Sequence, residues 1–490
     1  MPFPWLIRLF TIPSFLCLFG YPFASIELGS GHFPGDYSPP SPPLPSLPPL
    51  PPPSPCEGGL KGFGSLDTLC VINSSLDLVD DVYVYGNGSL EIGSGVIISC
   101  PFAGCSIYVN LSGRFVLGAK AVIVAGSVWV EAGNASLLEG SVINVSAFGG
   151  EPPGESSGTP EGVYGAGGGY GGRGASCLVR DEDFGYEVWG GDAYGWSELD
   201  KPWSYGSKGG TTTKEKDFGG GGGGRIKINV TEWIDTRGTL LADGGDGGFM
   251  GGGGSGGSIF IKAHKMTGDT WISASGGDGY AGGSGGRVAI DVFSRRDDQK
   301  FFVHGGKSFG CPKNSGAAGT FYDAVPRRLV VCNHNMSTET DTLLLEFPNQ
   351  PLWTNIYIEN HGKAVLPLLW SRVQVQGQLS LSRGAVLTFG LARYPSSVFE
   401  LMAEELLMSN SKIKVYGALR MSVKMHLMLN SEIHIHGVND AINDAVVATS
   451  LLEVSNLLVL KDSSTIQSSG NLGVHGQGYL NLSGPGRGWI

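Results

Sequence analysis

An aromatic and acidic segment at residues 189–205 carries the side chains best suited to holding a sugar. Apolar faces of sugar rings stack on flat aromatic rings, and sugar hydroxyls donate hydrogen bonds to carboxylates. The segment therefore predicts a carbohydrate-binding site, and the alternative is that its rings pack against the protein beneath a long loop. The candidate residues are Trp189, Asp192, Tyr194, Trp196, Trp203 and Tyr205.

Three aspartates in Gly-rich turns, Asp243, Asp246 and Asp278, are of the residue type that binds calcium. Calcium-binding β-rolls repeat their aspartates every nine residues, whereas these turns recur after 32 residues, so ordinary turn chemistry is the better interpretation. His434 and His436 share one face of a predicted strand, but the sequence offers no third ligand. We therefore expect no metal site and no cofactor.

Arg-Ile-Lys at 225–227 resembles one element of the polygalacturonases, secreted β-helical enzymes that cleave pectin. The Asn-Thr-Asp and Gly-His-Gly elements of that family are absent, and the Asp pairs 80–81 and 297–298 lie in other contexts. Because glycoside hydrolysis uses two suitably separated carboxylates, we expect no catalytic residues and no enzyme. The alternative is a pectin-lyase-like lyase or hydrolase that draws its acids from Asp192, Glu198 and Asp200.

Short alternating apolar segments fill residues 65–147, among them Val-Tyr-Val-Tyr at 82–85 and Val-Trp-Val at 128–130. They are rich in β-branched residues and are bounded by Gly, Asn or Ser, a pattern that predicts strands. Only residues 398–408 have the spacing of a helix, and they too can be interpreted as a strand. The chain is therefore predicted to be all-β.

Two internal repeats indicate that these strands stack. Gly-Arg-Ile-Lys-Ile at 224–228 is echoed at 257–261 and 286–290, and the segment 410–417 returns 20 residues later at 430–437. Units of this length that repeat are typical of stacked β-architectures. We therefore predict a right-handed parallel β-helix or β-solenoid with long Gly-rich loops.

Glycine is unusually abundant, at 80 of 490 residues, and 44 of the 80 lie in residues 149–286. Glycine permits corners with positive φ and close backbone approach, but the hexaglycine at 219–224 exceeds that need and indicates either a mobile loop or a stacked glycine ladder. The formal net charge of −11 has the wrong sign for binding phosphates. We therefore expect no nucleic-acid partner.

The first residues have the pattern of a secretory signal peptide, with Arg8 before an apolar run that ends at small residues near position 25. Residues 39–55 follow, 11 of them proline, and form a stiff polyproline spacer. Eight Asn-x-Ser/Thr triplets support secretion with N-glycosylation. Their asparagines are Asn73, Asn87, Asn110, Asn134, Asn144, Asn229, Asn335 and Asn481.

Seven cysteines remain once Cys17 leaves with the signal peptide. Sequence proximity favours Cys56 with Cys70, Cys100 with Cys105 and Cys311 with Cys332, although seven cysteines permit many connectivities. Cys177 would then be unpaired, which fits a free thiol, an intermolecular bridge or a chain cut short of its last partner. We favour truncation.

Several longer elements, in this order, resemble a family of large glycine-rich plant proteins, sometimes named after ephrin type-B receptors. The resemblance covers about residues 56–484 and rests on Ser-Cys-Pro-Phe-Ala-Gly-Cys-Ser at 99–106 and the segments 189–194, 201–210, 314–320 and 471–478. It implies a longer secretory or single-pass membrane protein with a transmembrane segment near its C-terminus. It implies no catalytic residues, and the kinase signatures are absent.

The expected function is that of a non-enzymatic glycoprotein of the plant cell wall or endomembrane system that binds cell-wall polysaccharide. The alternatives are the enzyme above and the ectodomain of a receptor or adhesion protein. We expect the secretory pathway, then the cell wall, cell surface or vacuole, and membrane contact only through a missing C-terminal segment. The expected organisation is a signal peptide (1–25), a Pro-rich disordered spacer (26–55), N-terminal β-solenoid rungs (56–148), a Gly- and Trp-rich loop region (149–220), Gly-rich repeat rungs (221–310) and truncated C-terminal β-helix rungs (311–490).

Overall fold

A computed structural model describes most of the chain from residue 51 onwards, as one compact unit. No helix in this part of the chain is long and apolar enough to cross a membrane. The signal-like segment 1–25 and the start of the Pro-rich spacer lie outside it. The described residues are 51–161, 164–178, 189–195, 199–211, 216–296, 299–344, 352–367, 372–391, 398–436, 449–476 and 479–483.

The protein is all-β: the described regular structure is strands and one short 3-10 helix, Gly154–Ser156. Along most strands every second side chain is buried, as their alternating sequences predict. The strands of the first half are β1 (Phe63–Gly64), β2 (Leu69–Ile72), β3 (Leu76–Asp77), β4 (Val82–Gly86), β5 (Ser89–Ile92), β6 (Ile97–Ser99), β7 (Ser106–Leu111), β8 (Arg114–Leu117), β9 (Val122–Val124), β10 (Ser127–Ala132), β11 (Asn134–Leu137), β12 (Val142–Asn144), β13 (Pro160–Glu161), β14 (Tyr164–Gly165), β15 (Arg225–Val230), β16 (Trp233–Thr236), β17 (Thr239–Leu241), β18 (Ser258–Thr267), β19 (Trp271–Ser273), β20 (Arg287–Arg295), β21 (Lys300–Phe302) and β22 (Thr320–Asp323).

The second half begins after a turn at residues 324–327. Residues 398–408, for which helix and strand were both open, belong to a strand. The strands of this half are β23 (Arg328–Cys332), β24 (Thr342–Leu343), β25 (Leu352–Trp353), β26 (Asn355–Glu359), β27 (Lys363–Leu366), β28 (Arg372–Val375), β29 (Gln378–Ser382), β30 (Val386–Phe389), β31 (Val398–Ser409), β32 (Lys412–Tyr416), β33 (Ala418–Leu429), β34 (Glu432–His436), β35 (Ser450–Lys461), β36 (Thr465–Ser468), β37 (Leu472–Gly476) and β38 (Tyr479–Ser483).

Parallel sheets dominate the described topology. Sheet I has 23 strands drawn from both halves, sheet II has seven strands of the first half, and sheet III has six strands of the second half. In the first half the chain alternates between sheets I and II, and in the second half between sheets I and III. Within each sheet, a strand pairs with its counterpart from the previous passage. The buried apolar side chains form two large clusters, one mainly from each half.

The direction of the strands reverses between the halves. Strand β22 is parallel to β20 but antiparallel to β23, with Phe321 opposite Val330. Strand β23 is in turn parallel to β26. Sheet I therefore continues through an antiparallel hairpin, and its later strands run opposite to the parallel strands of its first half.

Both sequence repeats stack in register. Ile226 of β15 pairs with Ile259 of β18, which pairs with Val288 of β20, and all three are buried. In the second half, Ile413 of β32 pairs with Ile433 of β34. The repeats thus recur because equivalent side chains occupy equivalent places in successive layers of the core.

The Gly-rich residues form hydrogen-bonded extended segments, here called the glycine stack (165–175, 206–210, 219–224, 251–257 and 276–286). The backbone N–H groups of Gly252 and Ser255 donate to the carbonyl oxygens of Gly210 and Ser207. Those of Gly253 and Gly256 donate to Ala281 and Ser284 on a second segment. Those of Gly254 and Gly257 donate to Gly245 and Ala242 on a third. One segment therefore bonds to three neighbours with a period of three residues, the period of a polyproline II helix. Within the hexaglycine, the N–H groups of Gly220 and Gly223 donate to the carbonyl oxygens of Gly252 and Ser255. Of the two possibilities open from the sequence, the hexaglycine is therefore a stacked glycine ladder and not a loose loop.

Close approach of backbones explains why these segments need glycine. A Cβ atom on Gly252 would lie against the Ala166 carbonyl oxygen, and one on Gly257 against that of Gly224, both well inside the 3.0 Å below which real Cβ contacts essentially never fall. Neither obstacle is a side chain that could rotate away. The segments can therefore pack at this distance only without side chains.

Three disulfides lie within the described residues, and one corrects the sequence prediction. Cys56–Cys70 and Cys100–Cys105 are as predicted. Cys311 pairs with Cys177, so the predicted bond from Cys311 to Cys332 is wrong, and Cys332 is a free thiol. Cys177 follows the last residues of one glycine-stack segment, and its partner is 134 positions later in the sequence. The turn at 311–314 lies beside it, because Asn314 Nδ2 donates to the Ser176 carbonyl oxygen at 2.9 Å.

This connectivity predicts different effects for two cysteine substitutions. Cys177→Ser removes a bond that closes a long loop and should lower the free energy of unfolding by about 2–5 kcal/mol, whereas Cys332→Ser should leave all three disulfides intact. Peptide mapping without reduction checks the bonds, and urea unfolding checks the stability. A peptide that joins Cys311 to Cys332 would contradict the structure.

Candidate functional site

Trp189 and Asp192 of the aromatic segment pack against Arg173 of the glycine stack. The Arg173 guanidinium lies 3.8 Å from the centre of the Trp189 ring. Its Nε donates to Asp192 Oδ1 at 3.2 Å. One guanidinium therefore makes a cation–π contact and an ion pair, and it covers one face of the Trp189 ring.

Tyr194 and Tyr205 lie against the glycine stack. The Tyr194 hydroxyl donates to the Tyr205 carbonyl oxygen and accepts from Ser207 Oγ at 3.3 Å. The Tyr205 ring lies over Gly150, where a Cβ atom would be 2.7 Å from ring atom Cε2. These rings thus hold the segment in place.

Trp203 lies on the outer face of sheet I, where it meets a ring from another strand. Its ring centre is 5.3 Å from that of Trp129 on β10, in an edge-to-face arrangement. The Arg225 guanidinium lies between Trp203 and Tyr205, 4.4 Å and 4.2 Å from their ring centres. The structure thus brings Trp203 and Tyr205 together through one arginine.

The remaining predicted residues add little to this surface. Trp196, and Glu198 of the enzyme alternative, lie outside the described residues. Asp200 pairs with Lys201 at 3.9 Å. Asp192 is engaged by Arg173, so the acids proposed for an enzyme do not form a described pair.

A row of four rings, here called the aromatic row, crosses the outer face of sheet I: Tyr83, Tyr108, Trp129 and Trp203. Tyr83, Tyr108 and Trp129 are direct neighbours in register on β4, β7 and β10. Successive ring centres lie 6.4, 5.1 and 5.3 Å apart, distances typical of interacting aromatic pairs. All four side chains are half-buried, so part of each ring is open to solvent.

Charged groups flank the aromatic row. Glu131 accepts hydrogen bonds from Trp129 Nε1 at 3.1 Å and from the Tyr108 hydroxyl at 3.4 Å. Lys227 Nζ lies 3.8 Å from the centre of the Trp129 ring. Burial lowers the pKa of Lys227; the Glu131 charge opposes this and the Lys201 charge adds to it. Aromatic rings, a carboxylate and an ammonium group thus occur together on this surface.

Sequence reasoning missed most of the aromatic row, because its members come from residues 83 to 203. The available signal was an aromatic residue at the outward position of successive strands, in Val-Tyr-Val-Tyr, Ile-Tyr-Val and Val-Trp-Val. Those patterns predict strands. Only the register of the strands places their outward residues in one line.

The three acidic turns use their carboxylates to join successive layers. Asp243 Oδ1 accepts from the Ser275 N–H at 2.7 Å, and Asp246 and Asp278 accept from the next layer in the same way. Burial raises the pKa of Asp243, an effect that its bonds to Ser273 and Ser275 oppose. His434 Nε2 is 2.9 Å from Glu432 Oε2. No group of three or more potential metal ligands occurs among the described residues.

The predicted N-glycosylation asparagines avoid the core wherever their side chains are described. Asn73, Asn87 and Asn335 are exposed. Asn110, Asn134, Asn144 and Asn229 are half-buried and point outward from strands. The Asn481 side chain lies outside the described part.

No family model, curated protein or solved structure matches the chain. The function is therefore inferred from the surface itself.

Proposed function

We propose that this chain is a non-enzymatic, secreted or cell-surface glycoprotein that binds cell-wall polysaccharide along the aromatic row. The observation that carries the proposal is the line of half-buried rings at successive spacings of 5.1–6.4 Å. A polysaccharide is itself a line of rings with apolar faces and hydroxyl edges. The protein rings are inclined to one another by 48–84°, so the polymer would contact several members at once, some through ring faces and some through ring edges. Glu131 and Lys227 supply polar partners at the edge of the row.

The scaffold in this proposal is a right-handed parallel β-helix whose layers are the alternating passages between sheets. Its rigidity matters because a line of rings binds a stiff polymer only if their spacing is fixed. Register pairing fixes three rings, and the glycine stack brings in Trp203. The family resemblance is compatible with this role, and it supports a plant cell-wall setting.

The secretory location rests on independent features. Disulfides persist in oxidising compartments, and three join cysteines in the part of the chain that the structure describes. The signal-like residues 1–25 and the outward-facing Asn-x-Ser/Thr triplets agree with passage through that pathway.

Retention on insoluble polysaccharide tests the proposal. The secreted chain should be retained on cellulose or on immobilised pectin, and Trp129→Ala combined with Trp203→Ala should weaken retention about tenfold or more, equivalent to ~1.4 kcal/mol. Trp233→Ala is the matched control, because that ring lies on β16 beneath Arg114 and outside the row. Trp189→Ala is a second control.

Two outcomes would reject the proposal: no retention of the unaltered chain, or equal loss in the row and control variants. Release of reducing ends from pectin would instead favour the enzyme alternative. A transmembrane segment in a longer form of the chain fits both a cell-surface polysaccharide-binding protein and the receptor alternative, and retention on polysaccharide separates these two.

A further inference from the structure

Two of the Asn-x-Ser/Thr triplets lie side by side on the outer face of sheet I. Asn110 of β7 is directly paired with Glu131 of β10, and Glu131 is directly paired with Asn229 of β15. Because neighbouring strands are about 4.8 Å apart, the two asparagines lie roughly 10 Å apart with one carboxylate between them. They are 119 positions apart in sequence, so only the fold brings them together.

Both triplets open onto one depression of about 370 Å³. Its lining includes both asparagines and both triplet hydroxyls, together with the intervening carboxylate: Asn110, Ser112, Asn229, Thr231 and Glu131. Both asparagines that would carry a glycan therefore line the same hollow. This hollow is here called the sequon pocket.

Aromatic and acidic groups border the sequon pocket on one side. Tyr108 is two residues before Asn110 on the same face of β7, and its hydroxyl accepts from Asn110 Nδ2 at 3.3 Å. Each Glu131 oxygen accepts one bond, from Trp129 or from Tyr108, and a carboxylate oxygen can accept a second. A half-buried aromatic ring and a free acceptor position thus lie beside the glycosylation point.

We propose that the sequon pocket is a binding site for the first N-acetylglucosamine of the N-linked glycans on Asn110 and Asn229. The apolar face of the sugar on Asn110 packs on Tyr108, and hydroxyl and acetamide N–H groups of the two sugars donate to Glu131, which lies between the two asparagines. The attached glycan then acts as a structural part of the sheet. This inference does not depend on binding of an external polysaccharide.

The test uses the full chain, secreted from eukaryotic cells that make only oligomannose glycans. Glycopeptide mass spectrometry measures occupancy at Asn110 and Asn229. An endoglycosidase that leaves a single N-acetylglucosamine should leave the melting temperature unchanged, because the seated sugar remains. Ser112→Ala combined with Thr231→Ala, which abolishes both sites while keeping both asparagines, should lower it by about 1–2 °C.

Asn73→Gln is the control, since that asparagine is exposed and outside the pocket, and it should leave the melting temperature unchanged. The substitutions remove two hydroxyl groups as well as two glycosylation sites, so all variants are also made without glycans. In that form the double variant and the unaltered chain should have the same melting temperature, which shows that the loss in the glycosylated form comes from the sugar. The inference is overturned if both sites are unoccupied, or if Asn73→Gln and the double variant change the melting temperature equally. Tyr108 and Glu131 also belong to the surface proposed for polysaccharide, so retention measured on the same samples shows whether the attached sugar competes with the external polymer, while the melting temperature alone tests the sequon pocket.

Discussion

Gly252→Ala should abolish secretion of folded protein or lower its free energy of unfolding by about 3 kcal/mol or more, although the change adds one methyl group. The new Cβ atom would overlap the backbone carbonyl of Ala166. The backbone of a packed segment cannot shift away from such an overlap without stretching or breaking the hydrogen bonds that its N–H and carbonyl groups make. Residues 252–257 bond to three neighbouring segments, so relieving the overlap breaks several bonds at once.

Gly154→Ala is the matched substitution for this experiment. A Cβ atom at Gly154 meets nothing within 4 Å, so the same change should leave stability within about 0.5 kcal/mol. Urea unfolding of both variants, followed by tryptophan fluorescence, provides the comparison. Equal stabilities for Gly252→Ala and Gly154→Ala would show that the glycine stack is not packed as described.

The strands and their stacking could be predicted from the sequence because side chains carry the information. Alternating β-branched residues indicate a two-faced strand, and repeated elements such as 410–417 and 430–437 indicate equivalent layers. The corner residues agree: Asn410 and Asn430 both have positive φ, and Asn430 Nδ2 donates to Asn410 Oδ1 at 2.7 Å. An asparagine tolerates that conformation, so its recurrence in the repeat has a physical cause.

The glycine stack and the sites beside it could not be predicted in the same way. Glycine has no side chain, so a segment that bonds in three directions leaves no apolar periodicity in the sequence. The packing of the stack nevertheless places residues that are far apart in the sequence next to each other. Cys177 contacts Cys311, and Trp203 contacts Trp129. Pairing by sequence proximity failed for Cys311 for this reason.

A histidine buried without partners should make stability depend on pH. His426 of β33 lies in register between Leu406 of β31 and Leu458 of β35. Its ring is fully buried, and neither Nδ1 nor Nε2 has a hydrogen-bond partner among the described residues. Burial lowers its pKa to about 4. The sequence Met-His-Leu-Met gives no sign of this, because an outward histidine is the commoner case.

The sign of the effect follows from which state binds the proton first. As pH falls below 6.5, the ordinary value, the unfolded chain protonates His426 while the folded chain stays neutral until about pH 4. The free energy of unfolding therefore contains a contribution from the neutral, buried His426 that is fully present above pH 6.5. This contribution is lost as the pH falls from 6.5 towards 4, so the folded protein becomes less stable. A difference of this size in pKa corresponds to roughly 3 kcal/mol.

His426→Leu should therefore be more stable than the unaltered chain at pH 4.5, and the difference should shrink, though not vanish, by pH 7.5. It should persist at pH 7.5 because leucine, like its neighbours in register, leaves no buried ring nitrogens unpaired. Urea unfolding across this pH range measures the difference.

Asp243 and Asp323, whose pKa values burial raises, titrate in both proteins, so their effects on the free energy of unfolding cancel in the comparison. His475→Gln, at an exposed position, controls for loss of one histidine, and parallel stability curves for His426→Leu and the unaltered chain would contradict the prediction.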